Sequence, residues 1–290
     1  MTLRQAARRY WRGAEETARQ RVRWLQQAGY VRTSMDARWA GRCVWTTARG
    51  VRATGVEVRA PEWPGERLLH RLAMADAAIT FELGGARVLS ERELRRAEST
   101  SRGTAQQAAV ALSPTAGSIE DGRGRDRFLC VPLGASGRVH YPDLVVASPR
   151  GLVSVEVEIS GKSPAELRQV LRGYRDARKV FGQVVYLATE PVMALLHGHV
   201  HPGTGVWTDG VAQQVGLLPS GPPEYRPDSP FLVRHFQPKD SGVAYQLDLR
   251  QVPDALRVGL PEWRRLRARW ESEGPSGVPF LTWWQRRTPS

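Results

Sequence analysis

The chain has 290 residues, with 42 basic against 29 acidic side chains, a formal charge of +13 and an isoelectric point near 10.7. That balance points to nucleic acid, less often to an anionic membrane surface. Two cysteines, Cys43 and Cys130, argue against a disulfide framework or a cysteine zinc site. No apolar run has membrane-spanning length, and charge from Arg4 onward leaves no signal-peptide core, so a cytoplasmic protein without a membrane partner is expected.

Only three of the basic residues are lysines: Lys162, Lys179 and Lys239. A GC-rich coding genome accounts for that bias. Its physical effect remains, since arginine forks bind phosphate and guanine bidentately.

Residues 1–60 read as a first unit. Thr2 caps a helix over 3–11, and Gly13 breaks it. A second helix spans 14–28, with Ala18, Val22 and Leu25 as its buried stripe, and Gly29 stops it. Residues 30–34 and 43–46 read as two strands around the Gly-containing loop 36–42. Helix, turn, helix and ribbon resemble a winged helix. That layout places the second helix in a DNA major groove, with Thr17, Arg19, Gln20 and Arg23 facing bases and phosphates. Arg32, Arg38 and Arg42 of the wing then meet the backbone or the minor groove. The competing reading is a helical hairpin with a solvated basic face. A full winged helix has a further helix ahead of Leu3. Residues 48–55, the second domain or the partner in a homodimer would take its place.

Residues 61–190 read as a second unit, opened by the turn-rich 61–65. A mostly buried helix covers 66–83, with Asp76 the one acid inside its apolar run. A short strand at 87–89 and a charged helix over 91–97 follow. Residues 98–124 show no clean period and read as a long flexible loop. Strands are expected over 128–133, 139–147 and 152–159, the last two joined as a hairpin by Ser148-Pro149-Arg150-Gly151. A capping box at Ser163 and Glu166 starts a helix running to about Phe181. It carries a core stripe through Leu167, Val170, Leu171 and Tyr174, and a basic ridge of Arg168, Arg172, Arg175 and Lys179. Residues 183–189 form a further buried strand.

The hairpin holds the densest chemistry. Glu156 and Glu158, two apart on a strand, share a face, and Asp143 on the partner strand reaches the same side if the register allows. Helix, three strands, helix and strand is the order of the PD-(D/E)XK nuclease-like core, an α/β (α+β) fold written αβββαβ. Pro142-Asp143, Glu156-Val157-Glu158 and Lys162 carry the resemblance, with Glu66 available from the first helix. It implies that Glu66, Asp143, Glu156 and Glu158 hold Mg2+ or Mn2+, and that Lys162 assists phosphodiester cleavage. The departure is Glu158 where that pattern has lysine. Either the lysine has moved to Lys162 or the catalytic pattern is lost. The alternating Val155-Glu156-Val157-Glu158 is also what a half-exposed strand looks like.

A closer resemblance uses Glu66 to Asp76 with His70, Pro142-Asp143, Glu156 to Ser163 and Tyr174. In that order they look like the replication-relaxation family of plasmid and mobile-element proteins. The resemblance covers residues 1–190 and implies double-stranded DNA as partner. Three functions follow: DNA recognition in replication, relaxation or transfer, a metal-dependent nickase or endonuclease, or a winged-helix transcriptional regulator.

Residues 191–290 read as a C-terminal extension. His197, His199 and His201 alternate, a spacing that does not converge on one metal ion from a helix, and an exposed loop is expected. Strands are expected within 206–218, 231–236 and 244–249, and a proline-rich linker over 219–228. A helix over 261–273 places Trp263, Leu266 and Trp270 on one face. Trp283, Trp284, Arg286 and Arg287 near the end suit either base stacking or packing into a groove.

Overall fold

A computed structural model describes residues 1–35, 41–55, 59–63, 67–148, 151–160, 162–223 and 229–236, and the structural statements below concern those residues. Helices α1 (Leu3–Tyr10) and α2 (Glu15–Gln27) come first. They lead into the ribbon β1 (Val31–Ser34) and β2 (Cys43–Thr46), and then α3 (Ala48–Ala53). Thr2 caps α1 reciprocally: Gln5 N donates to Thr2 Oγ1 at 3.1 Å, and Thr2 N donates to Gln5 Oε1 at 2.7 Å. Gly29, at φ +75°, ends α2 in the left-handed region and turns the chain into the ribbon. The ribbon is antiparallel, from Val31 opposite Thr46 to Ser34 opposite Cys43. Helix α3 lies hard against Tyr30. A Cβ on Gly50 would sit 2.1 Å from the Tyr30 carbonyl oxygen, so only glycine fits there.

The second unit begins with α4 (Leu68–Leu83), β3 (Val88–Ser90), α5 (Glu91–Thr100) and α6 (Arg102–Leu112). Four short strands follow: β4 (Ile119–Glu120), β5 (Asp126–Arg127), β6 (Val131–Pro132) and β7 (Val139–His140). Next come β8 (Leu144–Ser148), β9 (Gly151–Glu158), α7 (Pro164–Asp176) and β10 (Phe181–Ala188). The described part ends with α8 (Glu190–His197), β11 (His199–Val200), β12 (Trp207–Thr208), α9 (Val211–Gln214) and β13 (Phe231–His235).

The result is a mixed α/β architecture around a five-stranded sheet ordered β13-β10-β9-β8-β3. The pairs β3–β8 and β8–β9 are antiparallel, while β9–β10 and β10–β13 are parallel. The expected hairpin is present, with Ser148 opposite Gly151. Helix α4 covers one face, packing Ala73, Met74, Ala77 and Phe81 on Val146, Val153, Val155 and Val157. Helix α7 covers the other with Leu167, Val170, Leu171 and Tyr174, together with side chains of α5, α6, α8 and α9. A sheet buried on both faces explains why every residue of β9 is buried.

Several expectations need correction. Residues 98–124 are not one flexible loop: α5 runs to Thr100, α6 covers Arg102–Leu112, and β4 lies at Ile119–Glu120. Ser101 caps α6 by accepting from Thr104 N at 3.0 Å, and Ala105, Ala109 and Leu112 bury its thin apolar stripe. The strand expected over 139–147 is split, because Tyr141-Pro142-Asp143 interrupts it and a proline donates no ladder hydrogen bond. Within 206–218 only β12 is a strand, followed by the short α9. The sheet also passes the boundary placed at residue 190, since β13 pairs with β10 from Phe231 opposite Val184 to His235 opposite Ala188. The expectations for 244–249, 261–273 and Trp283 to Arg287 fall outside the described residues. Among the described residues, no helix is long and apolar enough to cross a membrane.

Candidate functional site: a buried acid, histidine and lysine cluster

Strand β9 alternates, so Val153, Val155 and Val157 point to α4 while Ser154, Glu156 and Glu158 lie on the side of α7. Glu156 is 1 % exposed and Glu158 5 %, which overturns the half-exposed reading of this strand. Both acids stay buried because each has partners.

Glu156 is the hub. The Tyr174 hydroxyl, brought in by the core stripe of α7, donates to Glu156 Oε1. Ser154 Oγ donates to the Tyr174 hydroxyl at 2.6 Å. His140 Nε2, on β7, lies 2.7 Å from the same Glu156 oxygen. Lys162 folds back from beyond the strand and places Nζ 2.6 Å from Glu158 Oε2. Asp143 stands where β8 and β9 open. Its Oδ2 accepts from Val157 N at 2.9 Å and lies 3.4 Å from His70 Nε2 of α4. His70 Nε2 is also 2.8 Å from the Val157 carbonyl oxygen. One strand is therefore gripped from both layers.

The charges are mutually adjusted. Burial alone would raise Glu156, but His140, Lys162 and the Tyr174 hydrogen bond together bring it below the ordinary carboxylate range. Burial works against the charged form of His140, and the Glu156 charge and hydrogen bond more than reverse that, so His140 is raised. His70 follows the same logic, with burial opposed by Asp143 and the net shift upward. Burial raises Glu158, only partly offset by Lys162. Lys162 is opposed by burial and raised by Glu156 and Glu158. Burial first, then Glu156, Glu158 and Asp143, holds the Tyr186 hydroxyl well above its ordinary value. Among the described residues, that hydroxyl is buried without a hydrogen-bond partner.

The residues expected from sequence are thus partly brought together. Asp143, Glu156, Glu158 and Lys162 form one electrostatic cluster, while Glu66 lies outside the described residues. The carboxylates do not fit a divalent ion as they stand. One oxygen of each is already engaged: Glu156 Oε1 by Tyr174 and His140, Glu158 Oε2 by Lys162, and Asp143 Oδ2 by the Val157 amide and His70. Among the described residues, no three His, Cys, Asp or Glu side chains are placed to hold a metal. Of the DNA-facing set, Thr17, Arg19, Gln20, Arg23, Arg32 and Arg42 are all exposed, and Arg38 lies outside the described residues. The ridge on α7 is half committed. Arg168 reaches Gln214 Oε1 at 3.2 Å, Arg175 donates to the Val215 carbonyl at 3.2 Å, and Arg172 and Lys179 remain exposed.

Sequence reasoning did not assign site roles to His70, His140, Ser154 and Tyr174. Tyr174 read as core because it sits on the apolar stripe of α7. A histidine in the first turn of the otherwise apolar α4 was the available signal for His70. No protein-family model matches the chain, and neither a curated protein nor a solved structure is detectably similar to it.

Proposed function

We propose that the chain is a DNA-binding protein. Its N-terminal unit acts as a winged helix, and its second unit is a PD-(D/E)XK-like scaffold of the kind the replication-relaxation family carries. The role is recognition of plasmid or mobile-element DNA in replication, relaxation, transfer or their regulation. One observation carries the reading: α2 buries only Ala18 and Val22, and its opposite side is exposed. Gln20, Arg23 and Gln27 lie across from the buried stripe and are flanked by Thr17, Arg19 and Trp24, the last 60 % exposed. A net charge of +13 supplies the long-range attraction.

Fluorescence anisotropy with double-stranded DNA at several salt concentrations tests this. Arg19→Ala combined with Arg23→Ala is expected to weaken binding about tenfold or more, and to flatten the slope of log affinity against log salt by roughly two. Binding that is absent at low salt, or indifferent to the double substitution, would sink the reading.

The second reading is a metal-dependent nickase built on Asp143, Glu156, Glu158 and Lys162. The return of Lys162 Nζ to the carboxylates favours it, since the lysine has moved in sequence but not out of the cluster. The donors already on Glu156 and Asp143 weigh against it. Supercoiled plasmid incubated with Mg2+ or Mn2+ is expected to stay supercoiled with wild type and with Asp143→Ala alike. Nicking by wild type that disappears in Asp143→Ala would reverse the order of the two readings.

A further inference from the structure

Between the N-terminal unit and α4 lies a cavity of about 1030 Å³, far larger than the voids of a packed interior and at the upper end of small-ligand sites. Its described walls come from α1, α2, the ribbon, α3, residues 61–63 and α4. They are chiefly aromatic and aliphatic. Trp45 and Trp63 pair at 5.0 Å between ring centroids, and Trp11 and Tyr30 extend the aromatic surface. Three charged side chains interrupt it, the cations Arg71 of α4 and Arg92 of α5 and the acid Glu62. The acids near them are engaged elsewhere: Glu62 pairs with Arg59, and Glu91 pairs with Arg95 at 2.8 Å. Arg71 forms no hydrogen bond or ion pair with any described residue. Arg92 is exposed and donates from Nη1 to the Arg59 carbonyl at 3.2 Å. Burial and the nearby Arg71 both depress it below the usual arginine range, partly offset by Glu91 and Glu62, so the two guanidinium groups still repel each other.

We propose that this cavity binds a small planar aromatic anion, with its rings against Trp45, Trp63 and Tyr30 and its carboxylate or sulfonate between Arg71 and Arg92. An apolar body with one negative end is the chemistry that satisfies both halves of the lining. Aromatic rings prefer offset or edge contacts with ring walls, and the anion gains charge-assisted bonds from two otherwise repelling forks. The site does not depend on the DNA-binding reading.

The test uses the full chain and two probes, the anion 1-anilinonaphthalene-8-sulfonate and its uncharged counterpart N-phenyl-1-naphthylamine. Fluorescence titration is expected to show saturable binding of one anion per chain, at least tenfold tighter than the neutral probe. Arg71→Met with Arg92→Met should abolish that preference and leave neutral-probe binding in place. Leu25→Trp, which fills the cavity, should weaken both probes. Far-UV circular dichroism checks that each variant folds, and if the double variant does not, the preference of wild type decides. Equal affinity for the two probes, unsaturable binding, or an anion preference that survives in the folded double variant overturns the proposal. So does binding lost as protein concentration rises, the sign that a second copy covers the cavity.

Discussion

Glu156→Ala is expected to lower the unfolding free energy by about 3–5 kcal/mol, the range for removing one partner of a buried charged pair. The side chain is only 2 % exposed and receives the Tyr174 hydroxyl and His140 on one oxygen. Without it, the His140 charge and the Tyr174 hydroxyl are stranded in the interior, and Ser154 bonds to a tyrosine that has lost its acceptor. Glu156→Gln should cost less, because an amide oxygen still accepts from Tyr174. The pair also sets a pH dependence. Glu156 is lowered in the fold, so its contribution is present above the ordinary value of 4.5 and is lost as pH falls through the folded value. His140 is raised, so its contribution is present below the ordinary 6.5 and is lost as pH rises through the folded value. Both contributions are therefore complete between pH 4.5 and 6.5, and His70 adds to the decline above that window. Glu158, raised by burial, trims the gain at the acid end. His197 and the Met1 amino group, both lowered in the fold, act in the opposite sense over the same range. Urea denaturation at pH 5.5 and pH 8 should therefore show Glu156→Ala losing more stability relative to wild type at the lower pH than at the higher. A variant within about 1 kcal/mol of wild type would mean that the network contributes little beyond packing.

The parts of this architecture legible in sequence are those in which one residue type dominates one period. Thr2, Gly29, and the Ser163 and Glu166 box mark their helix ends, because capping is chemistry over three or four residues. The hairpin of β8 and β9 was readable from its turn residues. Helix α6 was not, since Ala105 and Ala109 are too small to announce a stripe and are buried only because α5 and the sheet close over them. The fifth strand was not assigned to this sheet either, because the parallel pairing of β13 with β10 joins residues 47 apart, such as Val184 and Phe231, and no local pattern records such a partner. At the cluster, alternation correctly put Glu156 and Glu158 on one face. It could not say whether that face was wet. Burial there depends on Tyr174 arriving from α7 and His140 from β7, which are contacts of tertiary structure. Lys162 is the reverse case. Its spacing looked like displacement, yet the chain beyond β9 returns the ammonium to Glu158.

Arg8→Ala is expected to destabilise the protein by about 3–5 kcal/mol and to loosen the N-terminal unit from α4. Helix α1 docks on α4 through one row of side chains. Gln5 Nε2 donates to the Leu72 carbonyl at 2.9 Å, Arg9 pairs with Glu82 at 2.7 Å, and Arg8 sits between them. Arg8 lies 3.4 Å from the carboxylate of Asp76 and donates to the Asp76 carbonyl at 3.2 Å and to Thr80 Oγ1 at 3.0 Å. The Asp76 side chain is 1 % exposed and also faces the Met1 amino group, so removing Arg8 leaves a buried carboxylate with less counter-charge around it. Two departures from that number are informative. Asp76→Leu combined with Arg8→Met should recover most of the loss, because apolar groups of similar volume make no demand for a counter-charge. A double-mutant cycle on Arg8→Ala and Asp76→Ala should give a coupling of about 1–3 kcal/mol, and additive effects would show that the two side chains act separately. The consequence reaches the cluster. Helix α4 carries Asp76 toward α1 and His70 toward Asp143, so one helix joins the N-terminal unit to the buried carboxylates. If that tie holds, Arg8→Ala should also change the pH dependence of stability above pH 6.5, where His70 titrates, although Arg8 touches nothing in the cluster.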